Sequence, residues 1–173
     1  MNIVLIGMRG SWKSSVGKVL AQRLGFGLRE TDSMVEEKTG QPIADFVAAQ
    51  GWDAFREKEM EAVAHAAREE RVVISTGGGV ILRRENIEAL KARGFIVFLY
   101  APVGELIARI THGSRKRPLL TNAETFEEDM QRTWKEREPL YRAAADVVVN
   151  TVQKDAQSVA GEVFRLLREK NVI

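Results

Sequence analysis

The first 25 residues, a predicted strand, loop and helix, constrain the fold more than any other stretch. The apolar run of residues 2–6 stops at Gly7, and residues 16–24 then carry apolar side chains at helical spacing. The loop between them ends in Lys13 and Ser14. Backbone N–H groups of such a loop, the positive end of the following helix and a lysine ammonium together favour phosphate. This stretch therefore predicts a phosphate site at the end of a buried strand.

The loop follows the P-loop pattern G-x-x-x-x-G-K-[ST] from Gly7 to Ser14, except at Trp12, where the pattern has its second glycine. If the backbone at Trp12 has positive φ, a side chain there costs about 1–2 kcal/mol. The indole could also crowd a nucleotide, so we expect Trp12→Gly to tighten ATP binding. Taken alone, the stretch fits either a phosphate loop or an ordinary turn from strand to helix.

The rest of the chain predicts one α/β domain over residues 1–173. Apolar strands alternate with helical patterns and no linker-like segment divides them, which indicates a parallel sheet covered by helices on both faces. Hydrophobic residues make up 45% of the chain and charged residues 29%, as in soluble proteins. No apolar run is long enough to span a membrane, and Arg9 and Lys13 interrupt the N-terminal run, so we expect a cytoplasmic protein without a membrane partner.

Composition also limits the chemistry. The chain has no cysteine and only two histidines, so disulfides and thiolate metal sites are excluded and any metal is expected to be held by oxygen. The net charge of +2 gives no indication of a nucleic-acid partner. The single basic cluster, Arg115 to Arg117, lies in a polar stretch without periodicity and is typical of a solvated loop.

Three predicted strands end in residues suited to a ligand site. The first leads into the phosphate loop, the second ends at Glu30 and Asp32, and the third, residues 72–75, leads to Gly77, Gly78 and Gly79. Ligands bind outside the carboxyl ends of parallel strands, so these groups are expected to meet. Ser14 and Glu30, the latter through water, would suffice for magnesium. Asp32 could instead cap a helix, and three glycines could serve only a sharp turn.

The helical patterns give more detailed expectations. Ser33 followed by Glu36 predicts a capping box. Gly51 is expected to separate a helix that starts near Ile43 from a mostly surface-facing helix that runs to about Arg71. A further helix is predicted from about Arg84 to Arg93, and a long one to about Arg137, before Pro139. Arg56 and Arg137 could each be surface arginines, because spacing alone cannot pair them.

Six segments in this order and at these intervals resemble the shikimate kinases over nearly the whole chain. They are Gly7 with Lys13-Ser14; Thr31-Asp32 with Glu36 to Gly40; Phe55-Arg56 with Glu59; Gly77-Gly78-Gly79; Arg117-Pro118-Leu119-Leu120; and Arg137 with Pro139-Leu140-Tyr141. The resemblance implies a three-layer P-loop kinase fold, similar to the nucleoside monophosphate kinases, with a five-stranded parallel sheet flanked by helices. It also implies an ATP-dependent phosphotransferase that phosphorylates the 3-hydroxyl of shikimate, in chorismate and aromatic amino-acid biosynthesis.

The resemblance further assigns site residues. The chemistry fits: arginines can clamp the carboxylate of shikimate, and an aspartate can orient its hydroxyls and take a proton. The substrate is expected to lie against a helical region of about residues 32–61, under a lid loop of about residues 112–124. Implied as catalytic are Lys13, Asp32 and Arg117; as binding ATP, Gly10, Ser11, Trp12, Lys13, Ser14, Ser15 and Arg117; as binding shikimate, Asp32, Arg56, Gly78, Gly79 and Arg137; and as binding Mg²⁺, Ser14 and Glu30.

Three positions depart from the family pattern. Trp12 replaces glycine, Glu30 replaces an aspartate near magnesium, and Ile110 stands where an arginine commonly packs on adenine, although Arg109 is adjacent. Trp12 supports the alternative of a catalytically impaired protein that keeps the fold. A related kinase, such as one for gluconate, is a second alternative. The expected partners are shikimate and ATP, with no nucleic acid, and the expected state is a monomer.

Overall fold

The computed structural model describes residues 1–112 and 119–173, which form a parallel sheet between two layers of helices. The five strands run in the order β2-β3-β1-β4-β5, and every pair is parallel. Their bounds are β1 Asn2–Ile6, β2 Gly27–Glu30, β3 Val72–Ser75, β4 Gly94–Tyr100 and β5 Val147–Asn150. The predicted α/β architecture is therefore confirmed.

Seven α-helices cover the sheet within the described ranges. They are α1 Lys13–Leu24, α2 Thr31–Thr39, α3 Ile43–Arg68, α4 Arg84–Arg93, α5 Val103–Thr111, α6 Phe126–Ala144 and α7 Ala156–Glu169, with a short 3₁₀ turn at Val80–Leu82. One face of the sheet packs against α1 and α7 through side chains such as Leu20 and Val163. The other face packs against α3 to α6 through side chains such as Val63, Leu106 and Met130.

The sheet register brings the predicted site segments to one edge. Glu30 of β2 pairs with Ser75 of β3, and Ser75 pairs with Leu5 of β1. Each of these three strands ends at its paired residue or one residue later. The phosphate loop, the start of α2 and the three glycines therefore meet at the carboxyl edge, as the sequence predicts.

The capping box predicted at Ser33 and Glu36 is wrong. Helix α2 already begins at Thr31, and the residue before it, Glu30, is extended with φ −111°. Ser33 therefore lies within the first turn. The Glu36 carboxylate instead accepts a hydrogen bond of 3.0 Å from the backbone N–H of Ile43, which fixes the start of α3.

Two further helix predictions need correction. Gly51, with φ 84° and ψ 170°, is non-helical and divides α3 into two helices at a kink, as the sequence predicts, but the second of these helices buries Phe55, Arg56 and Glu59 instead of facing mostly outward. Helix α6 does not end near Arg137 but continues through Pro139 to Ala144. Proline removes one helical N–H, and burial of Tyr141 and Ala144 against the sheet stabilises the last turn.

No helix in residues 1–112 or 119–173 is long and apolar enough to cross a membrane.

Candidate active site

A cavity opens at the carboxyl edge of the sheet, between the phosphate loop, α2, α3 and α6. Its apolar lining comes mainly from the start and middle of α3, and its polar lining carries charges of both signs. The lining residues are Met8, Arg9, Asp32, Ser33, Glu36, Pro42, Ile43, Ala44, Trp52, Phe55, Arg56, Glu59, Gly77, Gly78, Gly79, Leu120 and Arg137. The cavity thus brings together all five residues predicted to bind the acid.

Arg56 is a buried cavity residue and not a surface arginine. Its side chain is 10% exposed, and its Nη1 donates a hydrogen bond of 2.8 Å to Oε2 of Glu59, one helical turn on. The guanidinium lies 5.3 Å and 5.2 Å from the ring centroids of Trp52 and Phe55. The two rings and the Glu59 carboxylate fix the position of the guanidinium, and these contacts do not use all five of its N–H donors.

Glu59 was assigned no role from the sequence, although its motif was recognised. Its side chain is 1% exposed, and Oε1 has no hydrogen-bond partner among the described residues. Burial raises the pKa of this carboxyl, and Arg56 opposes that rise. The spacing of three residues from Arg56 on a helix was the available signal, because such residues lie on one face.

Arg137 enters the cavity from α6 and is also buried, at 6% exposure. Its Nε has no hydrogen-bond partner among the described residues. The Tyr141 hydroxyl, one turn further along α6, donates to the carbonyl of Gly78 at 2.5 Å. Burial raises the pKa of Tyr141 to about 12, so the hydroxyl remains a donor at neutral pH. A buried guanidinium with an unfilled donor is suited to an anionic ligand.

The three glycines allow side chains to approach closely. A Cβ atom on Gly77 would contact the carboxylates of Asp32 and Glu59, and one on Gly79 would overlap the Arg56 guanidinium. None of the three has positive φ. Close approach, and not only a sharp turn, therefore explains glycine at 77 and 79. Asp32 lies in the first turn of α2, whose N-cap residue is Glu30, and lines the cavity.

The phosphate loop joins β1 to α1 and has positive φ at Gly7, Gly10 and Trp12. The Lys13 ammonium folds back on the loop and donates to the carbonyls of Gly7 and Met8, at 2.8 and 2.9 Å. Ser11 is buried, while Ser14 and Ser15 are exposed in the first turn of α1. A loop with alternating backbone handedness at a helix N-terminus presents its N–H groups to an anion.

Trp12 adopts the left-handed conformation, with φ 65° and ψ 22°, so the condition for strain at this residue is met. The side chain is half-buried and packs against the core cluster between the sheet, α1 and α7. The Cζ atom of Arg109 lies 3.9 Å from the centroid of the indole. Sequence reasoning noted Arg109 only as a neighbour of Ile110 and gave no indication of this stack.

Arg9, a buried arginine of the loop, was also missed. Arg9 Nη2 pairs at 2.8 Å with Oδ2 of Asp129, whose side chain is fully buried in α6. The other carboxylate oxygen, Oδ1, accepts from the backbone N–H groups of Leu120 and Thr121 and from the Thr121 hydroxyl. Asp129 thus ties the phosphate loop to the segment that precedes α6.

The remaining predicted residues are less defined. Glu30 is half-buried at the end of β2. No group of three or more histidine, aspartate or glutamate side chains that could hold a metal occurs among the described residues. Arg117 lies outside the described residues, as does the segment 113–118 of the predicted lid loop.

The fold and the cavity define a P-loop kinase for a small anionic molecule: a phosphate loop at the end of a central parallel strand faces a pocket with two buried arginines. More particularly, the chain belongs to the shikimate kinase family, whose family model matches residues 9–168.

Individual relatives and a solved structure support this membership. The chain is 41% identical over 171 residues, 98% of both chains, to a shikimate kinase of Symbiobacterium thermophilum. It is 46% identical over 151 residues, 85% of both chains, to that of Nitratidesulfovibrio vulgaris. The structure is similar to that of the Acinetobacter baumannii shikimate kinase in complex with shikimate, with a TM-score of 0.92 and 34% identity, over 99% of this chain and 95% of that one.

Proposed function

We propose that this chain transfers the terminal phosphate of ATP to the 3-hydroxyl of shikimate. The observation that carries the proposal is the placement of Arg56, Arg137 and Asp32 in one cavity beside the phosphate loop. An acid with several hydroxyls needs cations for its carboxylate and an acceptor for a hydroxyl, and this cavity supplies both.

The two buried arginines bind the carboxylate of the acid. Arg137 has an Nε donor without a partner among the described residues, and Arg56 donates to Glu59 from only one of its nitrogens in the described hydrogen bonds. Bidentate pairing is geometrically specific, which distinguishes a carboxylate from a neutral sugar. Gly78 and Gly79 let the ring of the acid lie against the backbone, as Gly79 lets the Arg56 guanidinium approach it.

Asp32 acts on the reacting hydroxyl. Its carboxylate accepts the hydroxyl hydrogen bond and takes the proton as the hydroxyl oxygen attacks the terminal phosphorus. The bond from that phosphorus to the bridging oxygen breaks, and ADP leaves. Lys13 exchanges the loop carbonyls that it contacts for phosphate oxygens, and Arg117 adds a second cation over the charge that develops during transfer.

Magnesium fits the donors at this edge. Ser14 presents an exposed hydroxyl in the first turn of α1, and Glu30 a carboxylate at the end of β2, which are the hard oxygen ligands that Mg²⁺ prefers. Ser14 would bind the ion directly and Glu30 through water, and the ion would neutralise charge on the phosphates.

Neither alternative from the sequence is favoured. Membership of the shikimate kinase family argues against a gluconate kinase. The indole of Trp12, the residue that suggested an impaired protein, packs on Arg109 and the core cluster beside α7. A helical acid-binding region of about residues 32–61, a lid of about residues 112–124, a monomeric state and a cytoplasmic location remain our predictions.

A coupled assay of ADP formation tests the function. We expect turnover only when ATP, Mg²⁺ and shikimate are all present. Gluconate and nucleoside monophosphates serve as control acceptors. ADP formation stimulated by one of these and not by shikimate would refute the proposal, and no turnover with any acceptor would favour an impaired protein.

A further inference from the structure

Trp12 is the residue of the phosphate loop that the P-loop pattern leaves unexplained. We propose that Trp12 and Arg109 form a stacked pair that holds this loop in its nucleotide-binding conformation, so that Trp12 is a positioning residue for ATP. The inference rests on the proposed use of ATP at this loop. It assigns the departure from glycine a role, where the sequence alone indicated only a fault.

Arg109 contacts the loop on both sides of Ser11. Its Nη1 donates to the carbonyl of Gly10 at 3.3 Å, and its Cζ lies 3.9 Å from the centroid of the Trp12 indole. Between these contacts, Ser11 is 1% exposed. One side chain from α5 thus fixes the residues just before Lys13, whose backbone forms the turn into α1.

Arg109 is itself held rigidly. Its Nε pairs with Oε1 of Glu105 at 3.0 Å, Nη1 donates to Oγ1 of Thr151 at 3.0 Å, and Nη2 donates to the carbonyl of Thr151 at 3.2 Å. The Arg109 side chain is 8% exposed, and Thr151 is fully buried. A stack between a cation and a ring is stronger when the cation is desolvated, and an arginine fixed by other bonds loses little freedom in making it.

A neighbouring side chain of α5 packs against the loop as well. A Cβ atom on Gly10 would lie 3.0 Å from Cγ1 of Ile110. Arg109 and Ile110 therefore contact the same loop residue, one through its carbonyl and the other through van der Waals packing. The corner between the loop, α5 and the segment after β5 is a single packed unit.

This packing changes the expected effect of glycine at position 12. Glycine would relieve the strain of the left-handed backbone, but it would also free that backbone to leave the conformation and remove the ring that Arg109 holds. A loop that must be ordered when ATP binds has lower affinity than a loop already ordered. The expectation from the sequence, tighter binding in Trp12→Gly, is therefore reversed.

Three variants of the full chain separate the ring, the side-chain volume and the backbone strain. Trp12→Phe keeps a ring, Trp12→Leu keeps an apolar side chain and the strain, and Trp12→Gly removes both side chain and strain. Titration calorimetry with ATP and Mg²⁺ should show an ATP Kd within twofold of the unmutated chain for Trp12→Phe. We expect an increase of about fivefold, or about 1 kcal/mol, for Trp12→Leu and Trp12→Gly.

Two readouts distinguish positioning from a general loss of stability. The shikimate Kd should stay within twofold in all three variants, because the acid cavity does not include Trp12. In a double-mutant cycle with Arg109→Met, adding Trp12→Leu should weaken ATP binding by less than a further twofold, since both changes remove the same contact. Should Trp12→Leu fail to fold, Trp12→Phe and Trp12→Gly still give the comparison.

Arg71→Gly is the matched control. Arg71 also has a left-handed backbone, with φ 56°, and its guanidinium lies 5.0 Å from the Phe26 ring, at the opposite edge of the sheet. The ATP Kd of Arg71→Gly should equal that of the unmutated chain.

ATP binding by Trp12→Gly that is as tight as, or tighter than, that of the unmutated chain would overturn the inference, as would additive effects in the double-mutant cycle. If the unmutated chain binds no ATP, this inference falls with the proposed function; if it phosphorylates shikimate and the Trp12 variants do so with unchanged ATP affinity, only this inference falls.

Discussion

The acid cavity and the corner around Trp12 each hold an arginine in a fixed position, but by different means. In the cavity, glycines at 77 and 79 remove side chains so that Asp32 and Arg56 can approach the backbone. At the corner, a large side chain stands where the pattern has glycine, and Arg109 stacks on it. The first arrangement leaves polar groups available to a ligand, whereas the second uses its arginine within the protein. The two regions should therefore respond to mutation independently, one in shikimate affinity and the other in ATP affinity.

The largest effect is expected at Asp32, which lines the acid cavity. Asp32→Asn keeps the size of the side chain but removes the proton acceptor, so kcat should fall by about 10²–10⁴. Shikimate binding by calorimetry should weaken far less. Asp45→Asn, an exposed aspartate in the first turn of α3, is the control and should leave kcat unchanged. A kcat within threefold of the unmutated chain in Asp32→Asn would remove the proposed base.

Arg117 tests the nucleotide side of the comparison. Arg117→Ala should lower kcat by about 10²-fold, because its proposed partner is the charge on the phosphates during transfer. The shikimate Kd should remain nearly the same. Arg115→Ala, in the same basic cluster, controls for loss of charge. Equal losses in both variants would indicate a general electrostatic effect and not a specific contact.

Arg137 tests the acid side. A charge-assisted hydrogen bond contributes roughly 1.5–3 kcal/mol, so Arg137→Met should weaken shikimate binding about tenfold to a hundredfold. The ATP Kd should be unaffected. Arg132→Met, an exposed arginine of the same helix, provides the control. If ATP binding falls as much as shikimate binding, the two regions are coupled and the comparison fails.

The smallest effect concerns the pH dependence of stability. The folded-state pKa of Glu59 is raised from the ordinary 4.5 by burial, so the folded state binds more protons than the unfolded state just above pH 4.5. The contribution of Glu59 to the free energy of unfolding should therefore decrease as pH rises through that interval. Glu59→Gln should remove this part of the pH dependence of the free energy of unfolding. Denaturant titrations at several pH values measure it.

Glu61, two residues along α3, gives the opposite sign. Its pKa is lowered by hydrogen bonds from Lys38 and Lys58, so its contribution is present above pH 4.5 and is lost as pH falls through the lowered value. Glu61→Gln should therefore reduce the gain in stability with rising pH. The same change of slope in both variants would contradict the assigned directions.

Local signals in the sequence predicted the fold well. The phosphate loop, the strand from Val72 to Ser75 and the helix from Arg84 to Arg93 are confirmed, because glycines and apolar periodicity mark their ends within a few residues. Gly51 separates two helices at a kink, as predicted, whereas Pro139 lies inside α6 and does not mark its end. At Pro139, packing against the rest of the protein outweighs the local preference.

Contacts across long stretches of sequence could not be predicted. Nothing near Trp12 indicates a partner 97 residues later, and nothing near Arg9 indicates Asp129. The resemblance indicated Arg56 and Arg137 as site residues, which periodicity alone would have left as surface residues. Glu59 shows the intermediate case, since its helical spacing from Arg56 was visible but its burial depended on the packing of α3 against the site.

The central position of β1 has a consequence for synthesis. This strand is made before the other four strands of the sheet, is buried along its whole length, and pairs with β3 through Ile3 and Val73 and with β4 through Ile3 and Phe95. During synthesis on the ribosome, both hydrogen-bonding edges of this apolar strand therefore stay unpaired until β3 and β4 have emerged. The nascent chain is thus expected to be most vulnerable to aggregation, and most dependent on chaperones, before residue 100 leaves the exit tunnel.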